Sequence, residues 1–183
     1  MAFQLLKGKK GIISGALDSH SIAWKVALRA KEEGAEFILT NSPTAKKMGR
    51  LEELSELCHA PIVYADATHI PDIEYLYQKT QEHFGGGIDF LLHSIGMSPN
   101  IRKKKEYGDL NYDWYMKSID VSALSFHKLL QTAEKQDILN EWASVVGLSY
   151  IAAQRTFPFY TDMADIKAML ESIARSFGYN YGF

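Results

Sequence analysis

KGIISGALDSHSIAWKVALRA, from Lys10 to Ala30, joins a short apolar run, a glycine-containing turn and a helical pattern. The run KGIIS is typical of a buried strand, and Gly15 begins the turn that follows it. Ser21 then caps a helix. Three residues at helical spacing form the predicted apolar face of this helix: Ile22, Val26 and Ala30. A strand, a turn and a helix in this order form the first half of a βαβ unit.

The remaining sequence repeats this alternation of strand and helix. Four more apolar runs predict strands: EFILT, PIVYAD, IDFLLHS and ASVVGLSY. Four more helices are predicted over MGRLEELSEL, over IEYLYQKTQEHF, from about Asp109 to Lys135 and from about Tyr160 to Phe177. Such alternation predicts an α/β fold, a doubly wound parallel sheet of the Rossmann type, with five strands in the order 3-2-1-4-5. No composition shift or linker divides residues 1–183, so we predict a single dinucleotide-binding domain.

Composition excludes several classes of function. The 183 residues are 46% hydrophobic and 23% charged, which is typical of a globular domain that can bury a core. A formal net charge of -2 gives no general attraction to nucleic acid, and RKKK at residues 102–105 is the only dense basic run. A single cysteine, Cys58, and the lack of a long apolar stretch predict a cytoplasmic protein outside the membrane. No metal site is predicted.

The turn after the first predicted strand is a candidate pyrophosphate site. In doubly wound folds the following helix presents free N–H groups and a partial positive charge at this edge of the sheet. Only Gly15 is present, however, where the G-x-G-x-x-G pattern has three glycines. A plain βα turn therefore explains this segment, taken alone, as well as a dinucleotide site does.

Other polar candidates follow the later strands. Ser42 stands where an acidic residue would bind the adenosine ribose, and Asp66 is placed either to meet adenine or to cap a helix. Gly96 in HSIG lets a flat ligand approach the backbone, although a simple turn also explains it. Three basic residues follow the second predicted strand and leave open a preference for a cofactor with a 2'-phosphate: Lys46, Lys47 and Arg50.

The last helix carries a tyrosine and a lysine seven residues apart, Tyr160 and Lys167. Seven residues are almost two helical turns, so both side chains share one face. A phenol beside an ammonium can stabilise oxygen charge that develops during a reduction by a nicotinamide. Tyrosine and lysine at this spacing are also common on ordinary helices. A separate stripe supplies the packing face: Ile166, Leu170, Ile173 and Phe177.

Several motifs, taken in order, resemble one family along essentially the whole chain. They are GALDSHSIAWKVA, DAT, LLHSIGMSP, VSALSFHK and, most specifically, SYIAAQRTFPFYTDMADIKAMLESIARSFG. The chain resembles the NADH-dependent enoyl-acyl-carrier-protein reductases of bacterial fatty acid synthesis, in the divergent branch of the short-chain dehydrogenase/reductase superfamily. Ordinary members of that superfamily have a four-residue tyrosine-to-lysine spacing, a TGxxxGIG turn and an NNAG strand end.

The resemblance implies a role for each matching residue. It places Gly15, Ser21 and Ile22 at the pyrophosphate, Asp66 and Ala67 at adenine, and Ser42 near the adenosine ribose. It places Ile95 and Gly96 beside the nicotinamide. Tyr160 would bind the thioester oxygen of a trans-2-enoyl substrate, and Lys167 would hold the nicotinamide ribose. The implied substrate pocket is lined by Met97, Tyr150, Tyr160 and Met163, with Tyr150 also counted among the catalytic residues.

The resemblance also implies an NADH cofactor, with NADPH left open, an acyl carrier protein as partner, and a homotetramer. Family members continue through a sixth strand, a threonine/proline-containing segment, a mobile helical segment and a seventh strand. The sequence ends at YNYGF, so we expect a chain that is truncated at its C-terminus and lacks the last strands. Two alternatives stay open: a catalytically incompetent nucleotide-binding or oligomerising fragment, and a carbonyl-reducing short-chain dehydrogenase. Gly147, 13 residues before Tyr160, disfavours the second, because that branch has serine there.

Overall fold

The computed structural model describes residues 3–181, which divide into two compact units. The first unit comprises residues 3–94 and Gln131–Val146, and the second comprises Ile95–Leu130 and residues 147–181. The strands are β1 (Lys10–Ser14), β2 (Glu36–Thr40), β3 (Ile88–His93) and β4 (Leu139–Gly147). The α-helices are α1 (Ile22–Glu32), α2 (Leu51–Cys58), α3 (Ile70–Phe84), α4 (Pro99–Arg102), α5 (Tyr112–Ile119), α6 (Ser125–Lys135) and α7 (Thr161–Tyr181).

The sheet has four strands in the order β2-β1-β3-β4. β1 pairs in parallel with both β2 and β3, in a register that sets Ile12 opposite Ile38 and Leu91. These three residues are almost completely buried, as expected for strands covered on both faces. The α/β class and the central position of β1 are therefore as predicted, and the order matches the predicted strands 2, 1, 4 and 5.

The predicted third strand, PIVYAD, is wrong as a strand. The segment lies beside β2 and forms a single parallel bridge, Leu39 to Ile62. Hydrogen bonds from Leu39 N to Pro61 O (2.9 Å) and from Val63 N to Leu39 O (3.0 Å) follow the ladder pattern. Pairing limited to this short stretch leaves four strands instead of five.

Two helix predictions also need correction. The buried face of α1 consists of Ala23, Trp24, Ala27 and Ala30, whereas Ile22 is 63% exposed. The predicted long helix is interrupted by a π-helical turn, Asp120–Leu124, between α5 and α6. The loop after HSIG contains α4 and a short 3₁₀-helix, Tyr107–Asp109.

The second unit is organised around α7. This helix packs against α4, α5 and the π-helical turn. Its buried apolar residues include Ile166 and Leu170, as predicted, while Ile173 and Phe177 are half-exposed. α7 begins at Thr161, so Tyr160 lies just before the helix instead of in its first turn. Lys167, which was predicted to be unnecessary for the core, is itself buried at 6% exposure.

Candidate active site

In the first unit, the turn between β1 and α1 leaves the amide groups of the helix N-terminus without a side-chain cap. Gly15 has φ of 91°, in the region that favours glycine, and donates its N–H to the carbonyl of Thr40 (3.1 Å). Ser21 occupies the N-cap position, but its Oγ accepts hydrogen bonds from the N–H groups of Leu17 (3.1 Å) and Asp18 (3.2 Å). The predicted N-cap position of Ser21 is therefore correct, but its side chain stabilises the preceding turn and does not cap the amides of α1. The first amides of α1 keep the partial positive charge that attracts an anion.

The polar candidates after β2 and after PIVYAD are held by local hydrogen bonds. Ser42 donates its N–H to Oδ1 of Asn41 (2.8 Å) and precedes a 3₁₀-helix, Pro43–Lys47. Asp66 accepts hydrogen bonds at Oδ1 from the N–H (2.9 Å) and hydroxyl (2.7 Å) of Thr68. Asp66 thus closes a turn that includes Ala67 and does not cap α3, whose N-cap is His69. The helix-cap alternative for Asp66 is wrong.

Two of the three basic residues that follow β2, Arg50 and Lys46, have partners. Arg50 forms an ion pair with Glu53 one turn along α2. The Lys46 ammonium lies 5.6 Å from the centre of the Tyr64 ring. These contacts engage two of the three positive groups that a 2'-phosphate would use.

In the second unit, the side chain of Lys167 is buried, and its ammonium makes a hydrogen bond there. Its Nζ donates a hydrogen bond of 2.6 Å to the carbonyl of Leu148. Burial lowers the pKa of this ammonium to about 8. A β-carbon built on Gly96 would lie 3.8 Å from the Lys167 Nζ and 3.6 Å from the Met163 Cε. The structure therefore brings three predicted site residues together: Gly96, Met163 and Lys167.

The two candidate tyrosines also lie together. The ring centroids of Tyr150 and Tyr160 are 4.5 Å apart, with planes inclined at 39°. Burial raises the pKa of the Tyr160 phenol, and the neighbouring Tyr150 raises it further. The backbone on both sides of Tyr160 is in the left-handed region, with φ of 64° at Phe159 and 35° at Thr161. Such values are uncommon outside glycine and occur frequently at functional sites.

The two residues that flank Gly96 have different surroundings. Ile95 is half-buried. Met97 donates its N–H to Oγ of Ser122 (2.9 Å), and this hydroxyl lies 3.2 Å from the Met97 carbonyl, to which it donates in turn. Ser122 belongs to the π-helical turn, a feature often found at functional sites. Ser122 was not predicted as an individual site residue, because helical periodicity does not reveal a π turn.

A buried carboxylate, Asp162, was also missed. It accepts hydrogen bonds from the hydroxyls of Ser98 (2.8 Å) and Thr161 (3.1 Å) and from Nδ2 of Asn100 (3.0 Å). In the sequence an aspartate at a helix start indicates only a favourable helix-dipole contact. Ser98 and Asn100 are more than sixty residues away from Asp162 in the chain, and no sequence pattern links them to it.

The second unit also contains a cavity of about 720 Å³, which lies on another side of α7. Its helical lining residues include Thr161, Ala164, Asp165 and Ala168, at helical spacing. Tyr160, Met163 and Lys167 are not among its lining residues. The largest of the described cavities therefore does not coincide with the tyrosine and the lysine.

Known proteins match both the sequence and the structure. The profile of the family described as Enoyl-(Acyl carrier protein) reductase matches residues 15–183. The chain belongs to the enoyl-acyl-carrier-protein reductase family. The predicted family resemblance is thereby confirmed.

Two curated relatives of this reductase-family chain are enoyl-[acyl-carrier-protein] reductase [NADH] 1 of Rhizobium meliloti and FabI of Rickettsia bellii. They are 31% and 34% identical to it over 97% and 96% of its residues. The structure of the FabI–NADH complex from Alistipes finegoldii is similar to it at 61% identity, with a TM-score of 0.96 over 98% of the chain. The chain spans 64% of the length of the Rhizobium protein and 64% of the Alistipes chain.

The described residues of this reductase-family chain contain neither a membrane-spanning helix nor a metal cluster. Among residues 3–181, no helix has the length and apolar character needed to cross a membrane. In the same residues, no group of three or more histidine, cysteine, aspartate or glutamate side chains is placed to hold a metal ion.

Proposed function

We propose that this chain reduces the double bond of trans-2-enoyl thioesters on acyl carrier protein, with NADH as the hydride source, in bacterial fatty acid synthesis. The observation that carries this proposal is the buried ammonium of Lys167, which lies beside Gly96 and belongs to the helix that begins directly after Tyr160. Membership of the reductase family and the NADH named for its relatives support the same activity.

The residues of each unit fit a part of a nicotinamide dinucleotide. In the first unit, the uncapped start of α1 suits a pyrophosphate, and Gly15 keeps the turn free of a side chain. Ser21 and Ile22 are proposed for the pyrophosphate, Ser42 for the adenosine ribose, and Asp66 with Ala67 for adenine. In the second unit, Ile95 and Gly96 are proposed for the nicotinamide ring, because the absence of a β-carbon at Gly96 leaves space beside Lys167.

When bound, NADH supplies a hydride for the β-carbon of the enoyl thioester. The phenol of Tyr160 donates a hydrogen bond to the thioester oxygen as that oxygen gains enolate charge. The raised pKa of this phenol keeps it protonated and able to donate at neutral pH. The ammonium of Lys167 donates to the ribose hydroxyls. Tyr150, Met97 and Met163 would line the acyl side, and a proton from solvent would then reach the α-carbon and complete the reduction.

Further properties of the whole protein follow from the same proposal. We propose NADH over NADPH, because Arg50 and Lys46 are engaged with Glu53 and Tyr64. Acyl carrier protein is the proposed partner, a homotetramer the proposed assembly and the cytoplasm the proposed location. A single dinucleotide-binding domain over residues 1–183 also stays a prediction.

A carbonyl-reducing activity is the weaker candidate. A β-carbon at Gly147 would lie 3.3 Å from the Leu170 Cδ2 and 3.3 Å from the Phe126 Cζ, closer than most real contacts. A serine, which the ketone-reducing branch has at this position, would crowd these two side chains. The packing around residue 147 therefore favours the glycine of this chain over the serine of the ketone-reducing branch.

A turnover and binding experiment tests the proposal. The purified 183-residue chain is mixed with NADH or NADPH and either crotonyl-thioester or acetoacetyl-thioester, and cofactor oxidation is followed by absorbance. Calorimetry measures cofactor binding in parallel. NADH oxidation with crotonyl-thioester alone supports the proposal. Oxidation with acetoacetyl-thioester alone favours carbonyl reduction, and NADH binding without turnover favours a nucleotide-binding fragment.

A further inference from the structure

We infer that Asp162 is a positioning residue for the reaction, because it joins the segment after Gly96 to the helix start after Tyr160. The inference rests on the proposed function, in which these two segments meet the nicotinamide and the thioester. Asp162 is fully buried in the first turn of α7, two residues beyond Tyr160. Its hydrogen-bond partner Ser98 lies two residues beyond Gly96.

The hydrogen bonds around Asp162 have one consistent direction. The Ser98 Oγ accepts from the N–H of Ile101 (3.1 Å), so its own proton is directed to the Asp162 Oδ1 (2.8 Å). The Nδ2 of Asn100 donates one proton to the Asp162 Oδ2 (3.0 Å) and the other to the carbonyl of Asn111 (3.2 Å). Asp162 therefore acts as an acceptor in every one of these bonds, which suits an ionised carboxylate.

The same carboxylate stabilises an unfavourable backbone. Thr161 has φ of 35°, which is rare for a β-branched residue, and its hydroxyl donates to the Asp162 Oδ1 (3.1 Å). Phe159, on the other side of Tyr160, has φ of 64°. Two left-handed residues around Tyr160 set the direction of the phenol, and a buried hydrogen-bonded carboxylate next to them can maintain that geometry.

The Gly96 segment is fixed from a second direction. Ser122 holds both the N–H and the carbonyl of Met97, as described above. Asp162 holds the next residue, Ser98, and then Asn100, which is fully buried. Loss of the Asp162 bonds would release one side of this segment together with the Tyr160 turn. Small displacements of reacting groups lower rates strongly, and about 1 Å can cost about a hundredfold.

Asp162→Asn is the direct test, because it keeps the shape and replaces one acceptor oxygen by a donor. Asp165→Asn is the matched control on the same helix: Asp165 accepts hydrogen bonds from the hydroxyls of Tyr107 (3.1 Å) and Tyr115 (2.9 Å). We expect Asp162→Asn to lower kcat for crotonyl-thioester by about 10- to 100-fold with an unchanged KM, and Asp165→Asn to change kcat by less than about twofold. NADH affinity should change by less than about threefold in both variants.

Amide hydrogen exchange provides a readout that does not depend on activity. The N–H groups of Ile101 and Asn111 are bonded to Ser98 and Asn100 (3.1 and 3.0 Å), the two residues that Asp162 holds. We expect these two amides to exchange faster in Asp162→Asn and to keep the wild-type rate in Asp165→Asn. If Asp162→Asn does not fold, Ser98→Ala removes one donor only and should give a smaller loss of kcat together with faster exchange at Ile101.

The outcomes separate this inference from the proposed function. A wild-type chain that binds NADH without reducing crotonyl-thioester refutes the proposed function, and the exchange rates alone then decide the role of Asp162. Equal losses of kcat in Asp162→Asn and Asp165→Asn overturn the inference. Unchanged exchange at Ile101 and Asn111 in Asp162→Asn overturns it as well.

Discussion

Glu33 and Lys167 are both buried charged residues, and their environments differ in kind. In the first unit, Glu33 forms an ion pair with Arg29 (2.5 Å) and accepts hydrogen bonds from the N–H groups of Phe3 and Leu5. The hydrogen bond from Leu5 is the main cause that lowers the pKa of Glu33 and so favours its charged form. In the second unit, Lys167 donates to one carbonyl, and burial lowers its pKa to about 8, against its charged form.

The difference separates a structural charge from a functional one. Neighbours that favour the charged form stabilise the folded chain, as around Glu33. A burial penalty that remains uncompensated destabilises the chain and is typical of groups that act on a ligand. The contrast therefore supports the proposed chemistry at Lys167 and Tyr160 in the second unit, and it leads to predictions that differ between the units.

The largest effect is expected for Tyr160→Phe, with Tyr64→Phe as its counterpart in the first unit. Removal of the Tyr160 hydroxyl deletes the donor to the thioester oxygen, so kcat should fall by about 100- to 1,000-fold with little change in NADH affinity. The pKa of Tyr64 is raised to about 12 by burial and by its hydrogen bond to Glu52 (2.7 Å). Tyr64→Phe should leave kcat unchanged. Steady-state kinetics and calorimetry measure both quantities.

An equal loss of kcat in the two tyrosine variants would break the comparison. A raised pKa alone would then not distinguish a functional phenol from a structural one. Retained turnover in Tyr160→Phe alone would instead remove this hydroxyl from the proposed chemistry.

The second prediction concerns Lys167→Met, with Glu33→Gln as its counterpart. Methionine has a similar length and no charge, so Lys167→Met should raise the melting temperature at pH 7, although the Leu148 carbonyl loses its donor. NADH affinity should fall about tenfold or more, because a charge-assisted hydrogen bond is lost. Glu33→Gln should lower the melting temperature and leave NADH affinity unchanged. Thermal unfolding and calorimetry provide the two measurements, and a lower melting temperature for Lys167→Met would contradict the functional interpretation.

The third prediction is a pH dependence of stability that the difference between the wild type and Lys167→Met assigns to Lys167. Its folded pKa of about 8 lies below the ordinary value of 10.5. Between these values the unfolded chain binds more protons than the folded chain, so the free energy of unfolding should rise with pH. The wild type should gain about 2 to 3 kcal/mol relative to Lys167→Met from pH 8 to pH 10.5. Denaturant unfolding of both chains across this range tests it, and parallel curves would contradict it.

NADH binding should show the opposite trend in the same window. In the proposed site the ribose hydroxyls accept hydrogen bonds from the ammonium form of Lys167, so NADH affinity should weaken as pH rises above about 8. In Lys167→Met this pH dependence of NADH affinity should disappear.

Parts of the fold that depend on local composition could be predicted from the sequence. The runs KGIIS, EFILT and IDFLLHS became β1, β2 and β3, because strands buried on both faces need continuous apolar residues. The face of α1 could not be predicted, because IAW and VAL place apolar residues on two sides of the helix. Contact with neighbouring elements buries Trp24 and leaves Ile22 exposed, and no periodicity contains that information.

The candidate site shows the same limit. The seven-residue spacing drew attention to Tyr160 and Lys167, and the family resemblance named their roles. The spacing did not predict that Lys167 is buried or that α7 begins after Tyr160. Two partners of Asp162, Ser98 and Asn100, come from α4 and the residue before it, so this network exists only in the folded chain. Sequence patterns do not predict hydrogen bonds between a buried carboxylate and residues that are distant in the chain.

The smallest effects are expected for two glycine substitutions, one in each unit. Gly15 has φ of 91°, so Gly15→Ala should lower the free energy of unfolding by about 1 to 2 kcal/mol through backbone strain. A β-carbon at Gly96 would make only ordinary contacts, 3.6 Å to the Met163 Cε and 3.8 Å to the Lys167 Nζ. Gly96→Ala should therefore change stability by less than about 0.5 kcal/mol. Its methyl group would occupy the space proposed for the nicotinamide, and NADH affinity should fall by about three- to tenfold. Denaturant unfolding and calorimetry on both variants test this pair. Gly96→Ala with normal stability and normal NADH affinity would show that the space beside Lys167 holds no cofactor, and the burial of this ammonium would then need another explanation.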